Sequence, residues 1–204
     1  MKKYTVIIDE ETNEIPRYSH EDRPLDHEDW YGEGFPRETW YNEDGKIDRE
    51  YGPARTVYHE DDPNIIIKQE WIRDGLRYRE DGPAVVLAFT DGKVIKEKYY
   101  QDGVLHRDDA PAVEERCPAT GIVVHEAWYQ HGKLHRVGGP ADSRRESDTG
   151  VLSYELWAIE GQNHRLDGPA YTERRESTGE IAAMEYYRYG VEVKNDHTPP
   201  VPAL

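Results

Sequence analysis

Three histidines, His106, His135 and His164, recur at a spacing of 29 residues, and each is followed by an arginine. Arginines stand at 49, 79, 107, 136 and 165, with steps of 30, 28, 29 and 29. Imidazoles in register invite a metal ion, and guanidiniums in register can grip phosphate or carboxylate. Two facts favour a structural role for the histidines. Their slot holds Asp48 and Tyr78 in other copies. Equivalent residues two or three strands apart in a sheet are also separated by roughly 10–14 Å. Zinc holds imidazole nitrogen at about 2.0–2.1 Å, so successive rungs cannot share an ion. Arg79, Arg107, Arg136 and Arg165 do not vary among the copies, and Glu97, Glu126 and Glu155 recur two residues before an aromatic. A packed ladder of arginine, acid and aromatic is therefore expected.

No catalytic constellation emerges, so no cofactor, no metal and no enzymatic activity is expected. Gly32-Glu33-Gly34 lacks the helix that a phosphate-binding glycine loop requires. Cys117 precedes Pro118 in a spacer and, as the lone cysteine, excludes a disulfide framework. Glu60-Asp61-Asp62-Pro63-Asn64 lacks calcium-loop spacing.

These side chains belong to a repeating frame. Trp128-Tyr129-Gln130-His131-Gly132, followed by His135-Arg136 and Gly139-Pro140-Ala141, returns from Trp71, Tyr99 and Trp157. An early copy starts at Trp40, and a truncated one at Tyr186. A second glycine falls at 92, 121, 150 and 179. A period of this size marks a repeat array. The expected fold is all-β: an elongated antiparallel hairpin sheet of about five repeats of 29 residues. Residues 122–129 are β-branched and aromatic, Gln130-His131-Gly132 is a hairpin turn signal, and Leu134-His135-Arg136 is a short return strand. Gly-Pro-Ala then breaks the ladder. Its glycine slot, filled once by Ala110, implies a small residue where strands approach closely. Trp71, Tyr99, Trp128 and Trp157 are expected to be buried on one face, each against the next repeat.

The aromatic-aromatic-x-x-Gly frame over about residues 38–193 resembles the MORN repeat and its bacterial variants. The His-Arg-x-x-Gly-Pro-Ala tail departs from the usual motif, and the unit is longer. The resemblance implies a β-hairpin array that scaffolds, binds or, in some bacterial variants, neutralises a toxin. It implies no single chemistry. On this reading residues 1–37 form an acidic N-terminal segment or cap, 38–193 the array and 194–204 a proline-rich tail.

Charge supplies the functional clue. The 204 residues carry a formal charge of −16. Residues 9–62 hold 18 acids and 6 bases, so most of the excess lies in about a quarter of the chain. Asp22, Asp26, Glu28, Asp29 and Glu33 surround Trp30 and Tyr31 there. Aromatics set in acid suit a basic protein partner, and a polar terminal cap would serve solubility. Such a charge disfavours direct binding to nucleic acid or anionic membrane. No run of 18 apolar residues can span a bilayer, and Val6-Ile7-Ile8 is too short for a signal-peptide core. A cytoplasmic binding protein is expected, one that blocks or sequesters a basic protein or complex. A toxin-neutralising immunity protein and a phage-type inhibitor of a nucleic-acid-binding defence complex both fit. A scaffold without inhibitory role is the alternative, and a poorly covered sheet face makes homo-oligomers a further expectation.

Overall fold

The computed structural model describes residues 3–9, 35–175 and 178–194. Every regular element among them is a strand. The chain opens with β1 (Thr5–Asp9), β2 (Arg37–Tyr41), β3 (Arg55–Tyr58) and β4 (Ile66–Glu70). A unit follows: a two-residue hairpin, β5 (Ile72–Arg73) and β6 (Leu76–Arg77), then two longer strands, β7 (Val85–Ala88) and β8 (Val94–Lys98). The unit returns as β9 (Tyr100–Gln101), β10 (Val104–Leu105), β11 (Val113–Arg116) and β12 (Val123–Ala127). It returns again as β13 (Tyr129–Gln130), β14 (Lys133–Leu134), β15 (Asp142–Arg145) and β16 (Leu152–Leu156). The last full copy is β17 (Ala158–Ile159), β18 (Gln162–Asn163), β19 (Tyr171–Arg174) and β20 (Ile181–Glu185). A final hairpin, β21 (Tyr187–Arg188) and β22 (Val191–Glu192), closes the described chain.

The twelve longer strands form one antiparallel meander in the order β1-β2-β3-β4-β7-β8-β11-β12-β15-β16-β19-β20. The fold is thus the expected all-β hairpin repeat sheet, and β1 from the N-terminal segment is its first strand. One end of the strands carries the tight turns with Gly92, Gly121, Gly150 and Gly179. The other end carries the two-residue hairpins. In each hairpin the residue before glycine has a positive φ: Asp74 at 50°, Asp102 at 50°, His131 at 49°, Glu160 at 49° and Tyr189 at 49°. Two successive left-handed residues make a type I′ turn, whose twist matches that of the flanking strands.

The structure corrects the expected strand over 122–129. It breaks at Trp128, between β12 and β13. The backbone shows why. Trp128 donates its N–H to Ala141 of the long sheet at 2.7 Å, while its carbonyl accepts from His135 N–H at 2.9 Å. One residue serves two ladders and becomes a corner. Trp40, Trp71, Tyr99 and Trp157 divide their hydrogen bonds in the same way, the sheet alanines being Ala54, Ala84, Ala112 and Ala170. All five alanines are fully buried.

Beyond the corner, successive hairpins are bonded to one another. Gly103 N–H reaches Arg77 C=O, Gly132 reaches Leu105, Gly161 reaches Leu134 and Gly190 reaches Asn163, at 2.8–3.2 Å. The hairpins so form a column parallel to the long sheet. Arg77 of the first of these hairpins reaches Glu70 on the sheet face that also bears Val57, Val85, Leu87, Val113 and Ala127, all buried. The array is therefore more than a single layer over this face.

A charged group lies in this core. Glu70 is 1% exposed. Its carboxylate accepts from Arg55 Nη1 at 3.0 Å and from Arg77 Nε and Nη2 at 3.2 and 2.8 Å, with Lys68 Nζ at 3.6 Å. Arg77 belongs to the hairpin and also donates to Tyr100 Oη of the next one at 3.2 Å. Burial opposes ionisation of Glu70, but Lys68, Arg77 and Arg55 outweigh it and hold its carboxyl below the ordinary range. Stability from a depressed carboxylate is present above its unfolded pKa and is lost as pH falls through the folded one. Glu70→Gln should cost about 3–5 kcal/mol at neutral pH, since it leaves buried cations without their carboxylate. Acid melts should check the linkage: the wild-type advantage over the variant should shrink below the ordinary carboxylate range, and an advantage that stays constant there refutes it.

Candidate protein-binding edge

Each corner aromatic carries an arginine on its ring. The guanidinium carbon lies 3.9 Å from the ring centroid for Arg49 on Trp40 and 3.9 Å for Arg79 on Trp71. The distances are 3.8 Å for Arg107 on Tyr99, 4.0 Å for Arg136 on Trp128 and 3.9 Å for Arg165 on Trp157. The same guanidiniums donate from Nη1 to the carbonyl of the proline four residues on: Pro53, Pro83, Pro111, Pro140 and Pro169, at 3.0–3.4 Å. The glycine before proline packs against the guanidinium, and a Cβ on Gly139 would sit 2.9 Å from Arg136 Cζ. The small-residue slot therefore answers to the arginine rather than to a neighbouring strand. Only a small side chain fits, which admits Ala110 in the third copy.

Two expectations are corrected by this geometry. The aromatics are half-buried rather than mostly buried, each under the arginine of its own repeat. The arginines point mainly at backbone carbonyls, not at the recurring acids. Arg49 lies 4.0 Å from Glu38, but Glu155 pairs with Arg174 at 2.9 Å, and Glu97 and Glu126 have no ion pair among the described residues. Glu97, Glu114 and Glu126 instead stand directly opposite one another on adjacent strands. They share the sheet face of the aromatic row, where burial first, then Glu97 and, more weakly, Glu114 push the Tyr99 phenol up. Like charges set opposite each other weaken a sheet.

The histidines cap turns. Nδ1 of His106, His135 and His164 accepts the N–H of His131, Glu160 and Tyr189 at 3.1, 3.3 and 3.1 Å. Each acceptor belongs to one repeat and each donor to the left-handed turn residue of the next. Asp48 Oδ1 serves Asp74 N–H likewise at 3.0 Å. This explains why aspartate and histidine share the slot: both place an acceptor at the same reach.

Corner, arginine and proline together fix a loop of two residues between the arginine and Gly-Pro-Ala. The residues there are Glu50-Tyr51, Glu80-Asp81, Asp108-Asp109, Val137-Gly138 and Leu166-Asp167. All ten residues are exposed. Six are acids, none is basic, and Tyr51, Val137 and Leu166 are 81%, 80% and 73% exposed. With two long strands per repeat, successive loops are spaced by about 10 Å. The repeated corner thus presents exposed, non-basic side chains along a line.

The seven residues expected to face a partner, Asp22, Asp26, Glu28, Asp29, Trp30, Tyr31 and Glu33, lie outside the described residues. Among the described residues no three His, Cys, Asp or Glu side chains converge on a metal position, and no helix is long and apolar enough to cross a membrane. A shallow depression lined by Asn64, Ile65, Ile66, Thr90, Asp91 and Gly92 lies at the tight-turn end, away from the loops.

Arg136→Ala should cost about 2–3 kcal/mol, combining a ring contact with a charge-assisted hydrogen bond. Arg136→Lys keeps the charge but loses the stacked planar fork, so it should restore little of that. Thermal melts of both variants check the rung; full restoration by lysine would show that charge alone matters.

No family model matches the chain, and no curated protein or solved structure matches it either.

Proposed function

We propose that this chain is a non-enzymatic, MORN-like binding protein that blocks or sequesters a basic protein, using its acidic loop edge. The observation that carries the reading is the line of five loops, which exposes six acids, no base and the large side chains of Tyr51, Val137 and Leu166. Five of the six acids stand in the first three loops and Val137 and Leu166 in the last two, which suits a basic partner with an apolar anchor. Charge complementarity steers association, while the apolar contacts hold the complex once formed. The acid-rich residues 9–62 extend the same chemistry. A toxin-neutralising immunity protein or an inhibitor of a nucleic-acid-binding defence complex would work in this way, because an acidic edge can occupy a groove built for phosphates.

The test is to convert Glu50, Glu80, Asp81, Asp108, Asp109 and Asp167 to their amides and compare capture with wild type. Immobilised wild type should retain basic proteins from a cell extract, with retention falling steeply as salt rises. The six-site variant should retain them at least tenfold less. Its melting temperature should change little, since exposed charges contribute little to stability. Equal retention by the folded variant would move the binding site elsewhere.

A further inference from the structure

Among the described residues, the two ends of the long sheet have no further strand and belong to different strand types. At one end, β1 is bonded to β2 alone of the described strands; at the other, β20 is bonded to β19 alone. Within the array, strands alternate between those that follow Gly-Pro-Ala (β3, β7, β11, β15, β19) and those that lead into a corner aromatic (β4, β8, β12, β16, β20). Each strand of the second type before β20 pairs, across the repeat boundary, with one of the first type from the next repeat. Glu70 faces Val85, Lys98 faces Val113 and Leu156 faces Tyr171.

β1 is a strand of the first type. Its Ile7 faces Thr39, the residue before Trp40, as Arg55 does from the other side of β2. β20 leads into Tyr186 and lacks the strand that would follow it. What one end lacks, the other end supplies. Applying the boundary register sets Glu185 against Ile7, Met184 against Ile8 and Ala183 against Asp9 of a second copy. No two like charges meet in that register. Met184 and Ile8 are 46% and 66% exposed and would cover each other, on the face that carries the aromatic row. Val6, in the position that a buried alanine fills at every internal boundary, would be covered as well.

We propose that β20 of one molecule adds to β1 of another, so that the chain associates head to tail with a second copy in the register of its own internal repeat boundaries. The contact is heterologous, and every added molecule presents the same two ends. The net charge of −16 opposes the association. Salt should therefore strengthen it by screening, opposite to its effect on capture of a basic partner.

The experiment is sedimentation of the full chain across concentration and ionic strength, with Ile8→Lys and Met184→Lys as end variants. Lysine on an open edge discourages strand addition. Wild type should grow beyond the 23.7 kDa monomer as concentration and salt rise. Each variant alone should stay monomeric, because one of its ends is blocked. An equimolar mixture should give a species of twice the chain mass and nothing larger, since the surviving ends are complementary. The melting temperature of each variant confirms folding; Ile8→Gln and Met184→Gln replace a variant that does not fold. Wild type that stays monomeric under all conditions overturns the proposal. So does assembly that either variant leaves unchanged, or a mixture that contains only monomers.

Discussion

The corner aromatic carries the architecture. Its N–H belongs to the long sheet and its carbonyl to the hairpin, and its ring supports the arginine that holds the next loop. Neither ladder could continue through that residue alone. Because the corner aromatic sits over a fully buried alanine of the adjoining strand, the long sheet and the hairpin column keep a fixed relation in every repeat. The arginine completes the corner with two contacts of different kinds, a ring face and a prolyl carbonyl. Stacking alone would let the guanidinium slide, and a single hydrogen bond would let it swing. Together they set the position of the two residues between them.

A second tie runs through charge. Glu70 binds Arg55 of the strand beside it and Arg77 of the hairpin above, and Arg77 continues to Tyr100 in the following hairpin. A carboxylate so buried would destabilise the core alone; surrounded by cations, it links sheet, hairpin and next repeat. The histidine caps make a comparable link between hairpins farther along. Polar side chains thus work along the repeat axis, where thin layers offer little apolar area.

The period, the all-β class and the turn positions were legible in the sequence, because glycine, proline and β-branched residues mark backbone geometry directly. The corner at Trp128 was not. Division of one residue's hydrogen bonds between two ladders leaves no trace in residue type. The arginine's acceptor was hidden for a similar reason: it is a backbone carbonyl, so the recurring glutamates drew attention instead. Nothing in residue type marks Lys68 and Glu70 as buried, because their strand gives no sign that a hairpin covers them. The loop dipeptides do not stand out in the sequence, since strand positions vary among the copies as much as they do. The N-terminal acids that suggested a partner are outside the described residues.

The meander order also governs how such a molecule acquires its shape. Every long strand pairs with its predecessor and its successor in the order of the sheet. Within the described array from β3 to β22, strand pairings therefore span no more than about one repeat. Closing such short loops costs little entropy, so ordering can start at any repeat and spread in both directions. A chain of this kind can also lengthen over evolutionary time by copying one unit of 29 residues, since a new unit meets only neighbours it already fits.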